Sequence, residues 1–182
     1  KLVDVLSKLS QEDIHEITMK APPTFVGRLR PYQERGVAWL AYQERIGLGC
    51  CLADDMGLGK TIQLICHILN HMLHHPTDTR GFLLVCPMGV VGNWRHEFER
   101  FAPSLKVIVH HGAERAQSLE ALQAQLTQPG TVVITTYGLI TRSCDFMYSH
   151  VWSMIALDEA QAIKNASSKR AISIRQLNAD FR

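Results

Sequence analysis

The segment Leu52-Ala53-Asp54-Asp55-Met56-Gly57-Leu58-Gly59-Lys60-Thr61 constrains this chain more than any other. An apolar run enters it over residues 49–53. Ile62, Ile65, Leu69 and Leu73 follow at helical spacing. The order is therefore strand, glycine-rich turn, helix. Gly57 and Gly59 accept backbone angles that side chains resist. The turn can aim its N–H groups inward, and the helix starting near Lys60 adds the positive end of its dipole. Asp55, Met56, Gly57, Leu58, Gly59, Lys60 and Thr61 form the candidate cradle for the phosphates of ATP. Lys60 would meet the terminal phosphates, and the Thr61 hydroxyl would hold Mg2+. The general eight-residue pattern has Gly where this chain has Asp54, so the segment alone leaves a plain glycine-rich turn as the other reading.

A second feature supports the first. Residues 152–157 are apolar and run into Asp158-Glu159-Ala160-Gln161. Acidic residues at the C-terminal end of a buried strand face the edge where open α/β sheets bind ligands. Asp158 would coordinate Mg2+, directly or through water, and Glu159 would position and deprotonate an attacking water. A solvated helix start is the other reading of the pair alone. The two features in this order, with strands between them, favour catalysis.

Strands and helices alternate along the rest of the chain. Helices are expected over residues 31–45, 60–74, 94–101, 113–128 and 166–177. Strands are expected over 81–86, 106–110, 131–136 and 155–157. Val132-Val133-Ile134 and Phe82-Leu83-Leu84-Val85 lack alternation, as strands buried on both faces do. The fold class is α/β, a parallel sheet flanked by helices. Residues 1–20 read as a short amphipathic helical segment, with Ser10 and Asp13 placed to cap a second short helix, until Ala21-Pro22-Pro23 breaks the pattern. Residues 1–26 are thus a helical extension, and 27–182 the main domain.

Composition narrows the class. The chain has 182 residues, 46% hydrophobic and 20% charged, enough for one domain with a core. A net charge of +2 does not by itself mark a nucleic-acid binder. No apolar stretch reaches transmembrane length and the first residues are not a signal peptide, so no membrane partner is expected. The five cysteines include no C-x-x-C pair and read as reduced core or near-core residues of an intracellular protein.

Several motifs in order resemble one family. Leu29-Arg30-Pro31-Tyr32-Gln33, Gly36-Val37-Ala38-Trp39-Leu40, and residues 52–61 with Gln63 are similar to the opening of Swi/Snf-type ATPases of helicase superfamily two. Leu84-Val85-Cys86-Pro87 with Asn93-Trp94 and Glu97-Phe98, then Ile134-Thr135-Thr136-Tyr137, resemble its next two motifs. Residues 157–165 resemble its acidic motif, in the Asp-Glu-Ala-Gln form nearer to bacterial members. The resemblance covers about residues 27–177, and this family commonly has Asp at the place of Asp54.

It implies a RecA-like first lobe, incomplete at its C-terminal edge, whose function is ATP hydrolysis coupled to translocation on double-stranded DNA and remodelling of protein–DNA complexes. Gln33 would read the adenine edge. Pro87, Asn93 and Trp94, with Thr135 and Thr136, would face a DNA strand, mainly its phosphates. Lys164 is the favoured further phosphate contact. The family's Ser/Thr-Gly-Thr motif and its second RecA-like lobe, which carries an arginine finger, are expected partners outside these residues. The chain alone would then hydrolyse ATP negligibly. The resemblance places the protein in the cytoplasm or nucleoid if bacterial, and in the nucleus if eukaryotic. Two alternatives are a strand-separating helicase of the same superfamily and a non-catalytic scaffold lobe.

Other candidates carry less. His67, His71 and His75 share a helical face, but no carboxylate or cysteine completes a metal set and the helix ends near Pro76, so they read as surface residues at a helix end. Trp39, Trp94 and Trp152 fit core packing better than base stacking.

Overall fold

Strands without polar alternation become a wholly parallel sheet covered on both faces. The computed structural model describes residues 19–113 and 115–182. Its strands are β1 (Phe82–Cys86), β2 (Lys106–Val109), β3 (Thr131–Thr136), β4 (Val151–Leu157) and β5 (Asn178–Phe181). Their order across the sheet is β2-β3-β1-β4-β5, with each neighbouring pair parallel. Register sets Leu84 of β1 between Ile134 of β3 and Ala156 of β4.

Six helices accompany the strands among the described residues: α1 (Pro31–Ile46), α2 (Lys60–His74), α3 (Val91–Phe101), α4 (Leu119–Gln125), α5 (Tyr137–Ser143) and α6 (Lys169–Gln176). Successive side chains of β1 point to opposite faces and sort into two cores. Phe82, Leu84 and Cys86 meet Ile65, Ile68 and Leu69 of α2, with Trp94 and Phe98 of α3. Leu83 and Val85 meet Leu122 of α4, Ile140 of α5 and Ile174 of α6. Burial of this kind stabilises by about 25 cal/mol per Å² of apolar surface, and it holds the strand ends in fixed positions.

The topology itself locates a crevice. The chain leaves β1 toward β2 on one side of the sheet, and leaves β4 toward β5 on the other. β1 and β4 are neighbours, so their C-terminal ends form a topological switch point. Cys86-Pro87 and Leu157-Asp158 stand at those two ends.

Several expectations are corrected. Residues 49–53 form no strand; Cys50 donates its N–H to the Arg182 carbonyl at 2.9 Å, and one such bond makes no ladder. The helix expected over 113–128 is confined to Leu119–Gln125, because Ser118 caps it and its hydroxyl accepts from the Ala121 N–H at 3.2 Å. Ser168 likewise delays the last helix to Lys169, accepting from the Ala171 N–H. β4 begins earlier than expected, at Val151, while α5 and β5 are additions to the expected elements. Cys51 is exposed rather than near-core, although none of the five cysteines is joined in a disulfide. The helical reading of residues 1–18, Ser10 and Asp13 included, lies outside the described residues.

Candidate nucleotide and nucleic-acid site

The glycine-rich loop has the backbone its sequence requires. Gly57 and Gly59 take φ of 83° and 78°, the left-handed region open to glycine. α2 starts directly after Gly59, and no side chain caps it. Its first-turn N–H groups therefore lack an intrahelical partner, which is the property of an anion site. Lys60 curls over the loop, its Nζ donating to the Asp54 carbonyl at 2.7 Å and the Asp55 carbonyl at 3.0 Å. The half-buried Thr61 follows on the first turn.

Two glutamines brace the loop from the side. Gln63 Nε2 donates to Asp54 Oδ2 at 2.9 Å. The buried Gln33 donates from Nε2 to the Leu58 carbonyl at 3.1 Å and accepts at Oε1 from the Arg30 N–H at 2.9 Å. Each end of the Gln33 amide keeps one further position, an N–H and a lone pair, the complement an adenine edge demands. Gln63's contact with Asp54 is invisible in the sequence, since the bond forms only once α2 follows the turn.

Asp158 is the meeting point of three strand ends. Its N–H donates to the Val85 carbonyl at 2.9 Å, continuing the β1–β4 ladder. Tyr137, just past β3, donates its hydroxyl to the Asp158 carbonyl at 2.8 Å. Trp94 of α3 donates its indole N–H to Asp158 Oδ2 at 2.7 Å, and the Glu159 N–H donates to Oδ1 at 2.9 Å. A carboxylate has about four acceptor positions, so two donors orient Asp158 and leave lone pairs for a metal ion or its water. Burial, and then the charges of Asp158 and Cys86, push the Tyr137 phenol well above its ordinary range, so it stays a donor. Burial and then Asp158 push the Cys86 thiol up to about 12, so it is inert. Glu159 is exposed and has φ 54° and ψ 50°, the one non-glycine residue at positive φ among the described residues. Such a backbone costs on the order of 1–3 kcal/mol and is typical of functional turns. Gln161 donates to its carboxylate. Sequence patterns do not pair Trp94 or Tyr137 with Asp158, because 64 and 21 residues separate them from it.

The residues present fit ATP with Mg2+. An uncapped helix start and a lysine suit the charge of phosphates, and Thr61 and Asp158 offer the hard oxygen donors that Mg2+ prefers.

The expected nucleic-acid residues divide. Asn93 and Lys164 are exposed and Pro87 half-exposed. Gly89 and Gly92 open onto space, with no neighbouring atom within 4 Å of where a side-chain methyl would stand. Trp94 is only 7% exposed, Thr136 7% and Thr135 0%, so these three side chains do not face outward. Thr135 donates to the His110 carbonyl at 3.4 Å, and Thr136 caps α5 by accepting from the Leu139 N–H. Thr135 thus ties the end of β3 to the segment after β2, and Thr136 starts α5.

His75 is exposed at the end of α2 as expected, but the other two histidines of that face are not. His67 and His71 are buried, at 0% and 6% exposure. A carboxylate does join them: Glu44 of α1 lies 2.5 Å from His71 Nδ1 and 3.4 Å from His67 Nε2. Asp78 stands 3.7 Å from His71 Nε2. No metal-binding group of three or more His, Cys, Asp or Glu occurs among the described residues. Trp152 is fully buried, as core packing requires, and Trp39 half-buried.

Comparison with known proteins matches residues 32–182 to the SNF2-related domain. The chain is 43% identical over 158 residues to the putative ATP-dependent helicase/translocase YwqA of Bacillus subtilis, covering 87% of this chain and 17% of that protein. It is 38% identical over 156 residues to the human chromatin-remodeling ATPase INO80, covering 82% of this chain and 10% of that one. Among solved structures, the SWI2/SNF2 ATPase core of Sulfolobus solfataricus in complex with dsDNA superposes with a TM-score of 0.78 at 31% identity, over 91% of this chain and 33% of that one. The chain thus spans a small part of the relatives it matches. Their ATPase-core fold is the RecA-like lobe expected from the sequence. No helix among the described residues is long and apolar enough to cross a membrane.

Proposed function

The chain belongs to the SNF2-related family, and from that premise we propose that residues 27–182 are the ATP-binding lobe of a DNA-dependent ATPase. Hydrolysis in the whole protein drives translocation on double-stranded DNA and remodels protein–DNA complexes. The observation behind this is the Lys60 ammonium held over an uncapped helix start by the Asp54 and Asp55 carbonyls. A charge so placed is ready to exchange carbonyl oxygens for phosphate oxygens.

The geometry supports the following roles. The N–H groups of residues 55–61 cradle the phosphates, and Lys60 neutralises their terminal charge. Gln33 ties the adenine end to the loop through Leu58. Thr61 and Asp158 would hold Mg2+, which supplies charge neutralisation at the phosphate oxygens. Glu159, exposed on its strained turn, orients the attacking water and takes its proton. Pro87, Asn93 and Lys164, with the open backbone at Gly89 and Gly92, meet DNA phosphates. A second RecA-like lobe completes the site. The dsDNA in the related Sulfolobus structure supports this choice of substrate.

Calorimetry of the full-length protein with Mg2+ and a non-hydrolysable ATP analogue tests the nucleotide site. Binding lost in Lys60→Ala is the expected result. Equal binding by both proteins would remove the phosphate-loop assignment.

A further inference from the structure

The hydrogen bond from Trp94 to Asp158 joins two halves of the site that the sequence keeps apart. Trp94 sits in the first turns of α3 and is almost wholly buried, its ring packed at 6.0 Å from Phe98. Its neighbours Asn93 and Arg95 are exposed, and the open backbone of Gly89 and Gly92 precedes it. One side of this short segment is thus solvent-facing while the other ends on Asp158 Oδ2 at 2.7 Å. A bond from a neutral N–H to a carboxylate is charge-assisted and directional. Val91, Trp94 and Phe98 lie on this one helix and are all set in the core, so its exposed start and the indole share one rigid backbone. A displacement imposed on that start would reach the indole, and through its hydrogen bond the carboxylate.

We propose that Trp94 is a positioning residue that couples nucleic-acid contact at the start of α3 to the orientation of the Asp158 carboxylate. The coupling rests on the reading of Asp158 as a metal-ion ligand and of the α3 start as a DNA contact. The other anchors of Asp158 do not do this. Tyr137 and Val85 hold only its backbone, and the Glu159 N–H belongs to its own turn. Of the two groups that donate to this carboxylate among the described residues, the Trp94 indole and the Glu159 backbone N–H, only the indole comes from the segment that would meet DNA.

Linkage makes the coupling measurable without turnover. If Mg2+ and nucleotide at Asp158 set the position of Trp94, they alter DNA affinity by a factor, and DNA alters nucleotide affinity by the same factor. The experiment measures duplex DNA binding to the full-length protein by fluorescence anisotropy, with and without Mg2+ and a non-hydrolysable ATP analogue. The native protein should show a change of several fold or more, within the roughly 5- to 150-fold common for such coupling. Trp94→Phe keeps an aromatic ring but loses the N–H, and should bring the ratio close to one. The readout is a ratio, so a uniform loss of affinity from looser packing cancels. A benzothienyl analogue at position 94 alone, with sulfur in place of N–H, gives the same test with the ring shape kept. Either replacement retaining the native ratio would overturn the proposal and leave the nucleotide and DNA assignments standing. A native protein that binds no nucleotide, or shows no ratio at all, would overturn the proposal, and absent nucleotide binding would also remove the function it rests on.

Discussion

A methyl group on Gly59 would lie 2.5 Å from the side-chain nitrogen of Gln33, the nitrogen that donates to the Leu58 carbonyl. The loop and the start of α1 are therefore fitted to each other through a missing side chain. Gly59→Ala meets two obstacles: a φ of 78° and the Gln33 amide. It should destabilise the fold by about 1–2 kcal/mol, the usual cost of a left-handed non-glycine residue. Gln33→Ala in the same background should restore only part of that, since the backbone angle remains. Urea unfolding of the four proteins in this cycle checks it; full recovery in the double variant would show that contact, not φ, sets the requirement.

Stability should fall with acid between about pH 6.5 and pH 4. Burial, opposed by Glu44 and aided by His71, lowers the His67 imidazole to about 4. Burial, with Arg115 and His111, lowers His110 to about 4. Both are neutral in the folded chain, while the unfolded chain takes up protons below about 6.5. Their contribution is thus complete above the unfolded value, shrinks as pH falls, and stops changing below the folded value. Each histidine contributes up to about 1.4 kcal/mol per pH unit in that window. Burial pushes the Glu44 carboxyl up, but the His71 hydrogen bond and the nearby imidazoles outweigh it and hold it below its ordinary value. Its stabilisation is likewise lost toward acid. Denaturant melts of His110→Gln across this range should show a shallower slope than the native protein; an identical slope would contradict the buried-neutral assignment.

These histidines also show where the sequence is silent. Helical spacing places His67 and His71 on one face of α2, yet Glu44 reaches them from 27 residues away in His71's case, across two packed helices. No local pattern carries that. The helix after the glycine loop and the strand at Thr131–Thr136 are legible because apolar periodicity is local and strong. β5 is not, since Asn178-Ala179-Asp180-Phe181 mixes polar residues into a strand at the sheet edge, anchored partly by Arg80 to Asp180. The glycine-rich turn before α2 and the acidic residues at the end of β4 are readable from residue type and order. That Trp94 serves Asp158 rather than facing outward depends on the packing of α3 against the sheet.

Lys60 and Glu159 should fail in different ways. Lys60→Ala removes the charge proposed to meet the phosphates and should weaken nucleotide binding. Glu159→Gln keeps size and should bind nucleotide about as well while losing about 10²–10⁴ in turnover, as removal of a general base does. Paired binding and steady-state rates in the full-length protein check this. Matching losses in both quantities for both variants would contradict the division of roles.

Lys164 is exposed beyond the acidic turn and is expected to meet a phosphate rather than a base. Lys164→Ala should weaken duplex binding similarly across unrelated sequences. It should also reduce the slope of log affinity against log salt by about one. An unchanged slope in anisotropy titrations would remove Lys164 from the interface.

The most direct test is the ATPase rate of the full-length protein with duplex DNA, single-stranded DNA and RNA compared side by side. Strong stimulation by duplex DNA, abolished by Glu159→Gln, is the predicted result. Stimulation mainly by RNA or single strands, or none by any nucleic acid, would contradict a motor that runs on double-stranded DNA.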